Sequence, residues 1–164
     1  MNKKGINYFV SYAHSNKKAA LIFLEKFEEQ AGAAKLFDYS RWDDRQLTVG
    51  EKWDKEIQEA IKKCDFGLIL VSPALLASQY IKDKELPEFL SSDGKRCFPV
   101  MLAEVDFKRH DLLGLEDLQI FRLDSPKFTE PRAFTACKEN RKEDFVRELF
   151  AKVHDWLEET NSES

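Results

Sequence analysis

The run Phe66-Gly67-Leu68-Ile69-Leu70-Val71 constrains this chain more than any other stretch, because six consecutive residues carry no polar side chain between Asp65 and the Ser72-Pro73 pair. A strand with one wet face alternates apolar and polar residues; a strand without alternation must be covered on both faces, as in the middle of a parallel sheet. The flanking segments supply the cover. Before it, Trp53, Ile57, Ala60, Ile61 and Cys64 recur at helical spacing, and Thr48-Val49-Gly50-Glu51 has the T-x-x-E form of a capping box that opens such a helix. After it, a turn leads to Ser78 and a third helix that presents Ile81, Leu86, Phe89 and Leu90 to the core. Pro87 has no N–H for the carbonyl of Asp83, so this helix is expected to kink or restart just after Glu85.

The same alternation runs through the rest of the chain. Ile6 to Tyr12 reads as a strand buried on both faces, and Ser15 caps a helix from about Asn16 to Ala31 whose stripe is Ala20, Phe23, Leu24, Phe27 and Ala31, with Gly32 as its stop. Leu36 to Trp42 is a more polar strand suited to a sheet edge. Cys97 to Leu102 is a fourth strand, with Pro99 at its start, and Leu118 to Leu123 a weaker fifth; the segment from Asp106 to Asn140 has little periodicity. Phe145, Val146, Leu149, Phe150, Val153, Trp156 and Leu157 form the stripe of a last helix.

Strands alternating with helices imply an α/β fold, here a flavodoxin-like five-stranded parallel sheet of order 2-1-3-4-5 with helices on both faces. A length of 164 residues suits one domain, expected over residues 1–158, with 159–164 a polar tail or the start of a linker to a further domain. Ligands of open α/β sheets bind beyond the carboxyl ends of the strands at the switch point. That edge carries Ser11-Tyr12-Ala13-His14 and Ser72-Pro73, and Glu85 belongs to the helix attached to it.

Charge and cysteine usage narrow the function classes. The 26 basic and 30 acidic residues are interspersed, leaving no basic stripe to track a phosphate backbone, so direct nucleic-acid binding is not expected. Cys64, Cys97 and Cys137 are odd in number and far apart, without a CxxC pair, which points away from a disulfide framework or a metal site and toward reduced thiols in the cytoplasm. No apolar stretch approaches the length that spans a bilayer, and no secretory core precedes the first strand, so no membrane partner is expected.

With the elements placed, Tyr8-Phe9-Val10-Ser11-Tyr12-Ala13-His14 resembles the first signature box of Toll/interleukin receptor (TIR) domains. Trp42-Asp43-Asp44-Arg45-Gln46-Leu47-Thr48-Val49-Gly50-Glu51-Lys52-Trp53 resembles the family's loop after strand two, and Cys64 to Pro73 followed by Ser78 to Leu86 resembles its third block, which ends in Glu-Leu. Three matches in order and spacing cover roughly the first hundred residues. The resemblance is to the bacterial type that cleaves NAD⁺, and it implies Glu85 as the catalytic carboxylate. It further implies substrate contacts from Ser11, Tyr12, Ala13, His14, Asp43, Asp44, Arg45, Trp53, Ser72, Tyr80 and Ile81, with NAD⁺ as a substrate and no resident cofactor or metal. Many enzymatic members carry a Trp four residues before the Glu; here Ile81 stands there and Tyr80 five before.

The implied activity is an NAD⁺ glycohydrolase or cyclase in an immune or defence signalling protein, activated when TIR domains self-associate through the loop after strand two, with a C-terminal sensor domain as a possible fusion. A TIR adaptor that acts only by homotypic docking stays open beside it. Each site residue also has a plainer role: Glu85 and its neighbour Glu88 as solvated helix positions, Ser11, Tyr12 and Ser72 as strand ends, Asp43, Asp44 and Arg45 as an exposed charged loop, Trp53 as core and His14 as a lone surface histidine. A receiver domain lacks support because Val10-Ser11-Tyr12 stands where its acidic cluster belongs, and the loop from Asp43 to Trp53 fits a nucleoside deoxyribosyltransferase less well than a TIR domain.

Overall fold

In the computed structural model, which describes residues 3–42, 52–91 and 94–162, strand β3 (Phe66–Val71) is buried at every residue. It lies between β1 (Lys4–Ser11) and β4 (Cys97–Met101), with β2 (Phe37–Arg41) outside β1. All three pairings are parallel, and the register sets Tyr8 opposite Phe66 and Ser11 opposite Ile69. The apolar run therefore occupies the interior position that its lack of alternation demands. β2 is buried at Phe37 and alternates exposed with half-buried residues beyond it, as the edge position expected for a polar strand requires.

Two apolar layers sandwich the sheet. Helices α1 (Lys17–Gly32) and α5 (Glu139–Ser162) pack on one face, where Phe23, Phe27, Phe145 and Leu149 meet Tyr8, Phe66, Leu68 and Val100. Tyr8 stacks on Phe66 with ring centroids 5.4 Å apart. Helices α2 (Lys52–Lys63), α3 (Pro73–Leu76) and α4 (Leu86–Leu90) cover the other face, where Ile57, Ile61, Leu75, Ile81 and Phe89 meet Phe9, Ile69, Val71 and Met101. Residues 159–162, read as a polar tail, continue α5, and the Asn161 amide donates to the Leu157 carbonyl at 2.7 Å.

Two expectations change. The fifth strand over Leu118–Leu123 does not form: Phe121 alone makes a parallel bridge to Val100, its N–H donating to the Pro99 carbonyl at 2.8 Å and its carbonyl accepting from Met101 at 2.9 Å. Among the described residues the sheet thus has four strands, β2-β1-β3-β4, and not five. The next rung would require an N–H at Pro99, and Gln119, which would accept it, sits at φ 40° after a 3₁₀ turn at Leu115–Leu118. A ladder cannot extend past a missing donor and a left-handed residue.

The second change concerns the third helix, which bulges where a break is expected. After Ser78, whose hydroxyl accepts from the Ile81 N–H at 3.3 Å, the chain is helical from 79, forms a π turn over Ile81–Glu85 and continues as α4. The Leu86 N–H bonds to the Ile81 carbonyl, five residues back. Pro87 is the second residue of α4, directly after the π turn.

Candidate active site

The carboxyl ends of β1 and β3 lie side by side because parallel pairing aligns Ser11 with Ile69, two residues before the end of β3. Among the described residues, the buried polar or charged side chains are Ser11, Ser72 and Glu85, with exposures of 1%, 0% and 8%. All three belong to the set expected from the sequence. Burying such groups costs free energy unless something compensates, so each needs an account.

Ser72 has a structural one. Its hydroxyl donates to the Asn16 Oδ1 at 2.6 Å and accepts from the Leu75 N–H at 3.0 Å, capping α3, with Pro73 at the first helical position. Asn16, which sequence reasoning did not single out, thereby ties the turn after β1 to the end of β3, and its own N–H bonds to the Ala13 carbonyl at 2.9 Å. The signal that pointed to it was only its place, one residue after Ser15 at the foot of a helix.

Ser11 has no such account: its Oγ is buried without a hydrogen-bond partner among the described residues. Side chains alternate along a strand, and Phe9 and Ala13, two residues to either side, both belong to the layer under α2 and α4. Ser11 faces that layer. Tyr12 consequently faces the other way, half-buried against the layer of α1 and α5, so the structure separates it from Ser11. Ala13 is buried beside Phe9, and His14 is exposed in a 3₁₀ turn, His14–Asn16.

Glu85 closes the π turn, and the residues around it, Ile81 and Leu86, pack into the same layer that Ser11 faces. Its backbone departs from helical values at φ −102°, against about −63° for an α-helix. Ile81 is core, whereas Tyr80 is half-buried at the rim of the layer. Trp42, at the end of β2, stacks on Phe9 with centroids 5.3 Å apart, and Phe9 meets Phe89 at 6.2 Å, forming an aromatic wall on this side of the sheet. Glu88 is half-buried one turn along α4. Asp43, Asp44 and Arg45 lie outside the described residues, as do the Thr48–Glu51 capping box and the side chain of Trp53, whose backbone belongs to α2.

The cysteines are free and buried. Burial pushes the thiols of Cys64 and Cys97 from the ordinary 9.0 up to about 11, and that of Cys137 upward as well, which leaves them protonated and poorly nucleophilic at neutral pH. They sit in the apolar layers and not among the polar groups at the strand ends. Among the described residues no helix is long and apolar enough to cross a membrane.

A parallel sheet covered on both faces, with Ser11 and Ser72 buried at the carboxyl ends of its two central strands, is that of a flavodoxin-like α/β domain, a class whose ligands bind at such a switch point. The chain belongs to the TIR domain family, whose model matches residues 9–136, from within β1 to the turn before α5. No curated protein matches it. Membership brings with it a TIR-type signalling role and interaction between TIR domains in general.

Proposed function

We propose that this TIR domain is an NAD⁺ glycohydrolase of the bacterial type, with Glu85 as its catalytic carboxylate. The observation that carries the reading is the burial of Glu85: it is the one charged side chain buried among the described residues, and its neighbours Ile81 and Leu86 pack into the layer that the unsatisfied Ser11 hydroxyl faces. A carboxylate withdrawn from water costs stability, which a folded protein carries at a functional site and seldom elsewhere.

The chemistry follows from the bond. Nicotinamide leaves with the electron pair of the ribose–nitrogen bond, becoming neutral, and the ribosyl carbon becomes an oxocarbenium-like cation. A carboxylate beside that carbon stabilises the developing positive charge, as in glycoside cleavage, and the low polarity around it strengthens the attraction. Water then adds to the carbon and gives ADP-ribose; attack by the adenine ring instead gives a cyclic product. The Ser11 hydroxyl supplies a donor and acceptor for the substrate's ribose or phosphates, and Tyr80 an aromatic surface. Asp43, Asp44, Arg45, His14 and Trp53 stand as further substrate contacts on the strength of the family resemblance alone. NAD⁺ is substrate here, with no resident cofactor. The setting is a cytoplasmic immune or defence protein whose TIR domains are switched on by self-association, with a fused sensor domain controlling it.

Nicotinamide release from NAD⁺ by concentrated and by dilute purified protein tests the reading. Wild type is expected to turn over, more per molecule when concentrated. Glu85→Gln is expected to lose about 100-fold to 1,000-fold of turnover, the scale of one oriented electrostatic group, while remaining folded. Glu88→Gln is expected to retain activity. Wild-type rates in Glu85→Gln, or equal losses in both variants, would leave homotypic docking as the function.

A further inference from the structure

We propose that Pro87 is a positioning residue: it holds the π turn over Ile81–Glu85, and that turn sets the direction of the Glu85 side chain and its neighbour one turn away. The inference rests on the catalytic reading of Glu85.

In an α-helix Leu86, five residues after Ile81, would lie about 140° around the axis from it, and both side chains would not reach one core. Here both are buried in the layer over Phe9 and Val71. The bond from the Leu86 N–H to the Ile81 carbonyl explains how: a turn with one extra residue brings position i+5 over position i. The same turn places Tyr80, five residues before Glu85, one turn from the carboxylate-bearing residue, where α-helical spacing would place Ile81. Glu85 itself takes up the distortion at φ −102°.

Pro87 is the reason the regular alternative is unavailable. A continuous α-helix through this point would set the Pro87 ring against the Asp83 carbonyl, which would also lose its donor. The π turn widens the backbone directly upstream, and α4 follows it with Pro87 as its second residue. Downstream, Leu86 and Phe89 are anchored in the core, and upstream, Ser78 caps the segment through the Ile81 N–H. With both ends held, Glu85 is the residue whose orientation depends on whether the extra residue is accommodated. Removing the bulge turns one side of the segment relative to the other by about 100°, one residue's rotation.

Pro87→Ala tests this, since alanine at the same place restores the N–H and removes the ring. Two readouts are taken on the full chain: the through-hydrogen-bond coupling between the Leu86 amide nitrogen and the Ile81 carbonyl carbon by NMR, and the steady-state kinetics of nicotinamide release. The expected result is loss of that coupling in Pro87→Ala, with kcat per folded molecule lowered at least 10-fold and KM changed less than about 3-fold; the thermal midpoint falls as well, because Ile81 and Leu86 no longer both reach the core. A merely structural proline would lower the midpoint and leave kcat per folded molecule unchanged. The proposal is overturned if Pro87→Ala keeps the coupling, or loses it and still turns over NAD⁺ at the wild-type rate. If wild type itself releases no nicotinamide, the catalytic reading fails, while the coupling still decides whether Pro87 holds the turn.

Discussion

Gly67, the one break in the side-chain content of β3, is expected to be irreplaceable for a reason that lies on α4. A Cβ added there would sit 2.4 Å from Cε1 and 2.5 Å from Cζ of Phe89, closer than any real contact, so Gly67→Ala must displace the ring. Phe89 is buried and cannot retreat into solvent without opening the layer that also holds Phe9. Overpacking of this kind costs about 1–3 kcal/mol, and it is opposed by the roughly 0.5–1 kcal/mol that alanine gains over glycine within a strand. The clash wins by up to about 2.5 kcal/mol, which for a chain of this length lowers the thermal midpoint by up to about 10 °C. Phe89→Leu removes the ring atoms in question and costs stability by itself through the space it leaves. In the Phe89→Leu background, however, Gly67→Ala is expected to be neutral or slightly stabilising. Urea or thermal unfolding of the four proteins measures the coupling, which should fall within about 0.5–3 kcal/mol for touching residues. A harmless Gly67→Ala in the parent, or two changes that simply add, would show that Phe89 does not rest on β3 as described.

Ser72→Ala removes both the cap on the Leu75 N–H and the bond to Asn16, and is expected to cost about 1–2 kcal/mol in chemical unfolding while leaving KM for NAD⁺ within a few-fold; unchanged stability would refute the structural role. The buried thiols of Cys64 and Cys97 make stability fall at alkaline pH: both stay protonated in the folded chain up to about 11, whereas the unfolded chain begins to release these protons near 9.0, so the folded state is disfavoured across that window. Each thiol accounts for about 3 kcal/mol across it, and a Cys64→Ala/Cys97→Ala variant should show a flatter profile between pH 9 and 11 by circular dichroism, parallel curves being the contrary result.

Much of this architecture is legible in the chain because it rests on local pattern. The unbroken apolar run at Phe66–Val71 dictates an interior strand, the 3.6-residue stripes of α1 and α5 dictate which faces meet the sheet, and Ser78 marks where the third helix begins, whereas the cap expected at Ser15 is not made: α1 follows Asn16 without a side-chain cap. The alternation that sends Ser11 and Tyr12 to opposite layers is likewise present in the sequence, as a period of two. Glu85 stands out through the Glu-Leu ending of its block, and its burial is another matter. Helical spacing from Ile81 offers several positions to the core, and only the packing of Leu86 and Phe89 against Phe9 and Val71, with Pro87 excluding the regular turn, decides which register is taken. The missing fifth strand has the same origin: Leu118–Leu123 has strand-forming residues, but pairing is a property of two segments, and the partner's Pro99 has no donor to offer. Periodicity and capping act within a few residues and are written along the chain, whereas burial of a carboxylate and closure of a ladder depend on groups that meet only after the chain has folded.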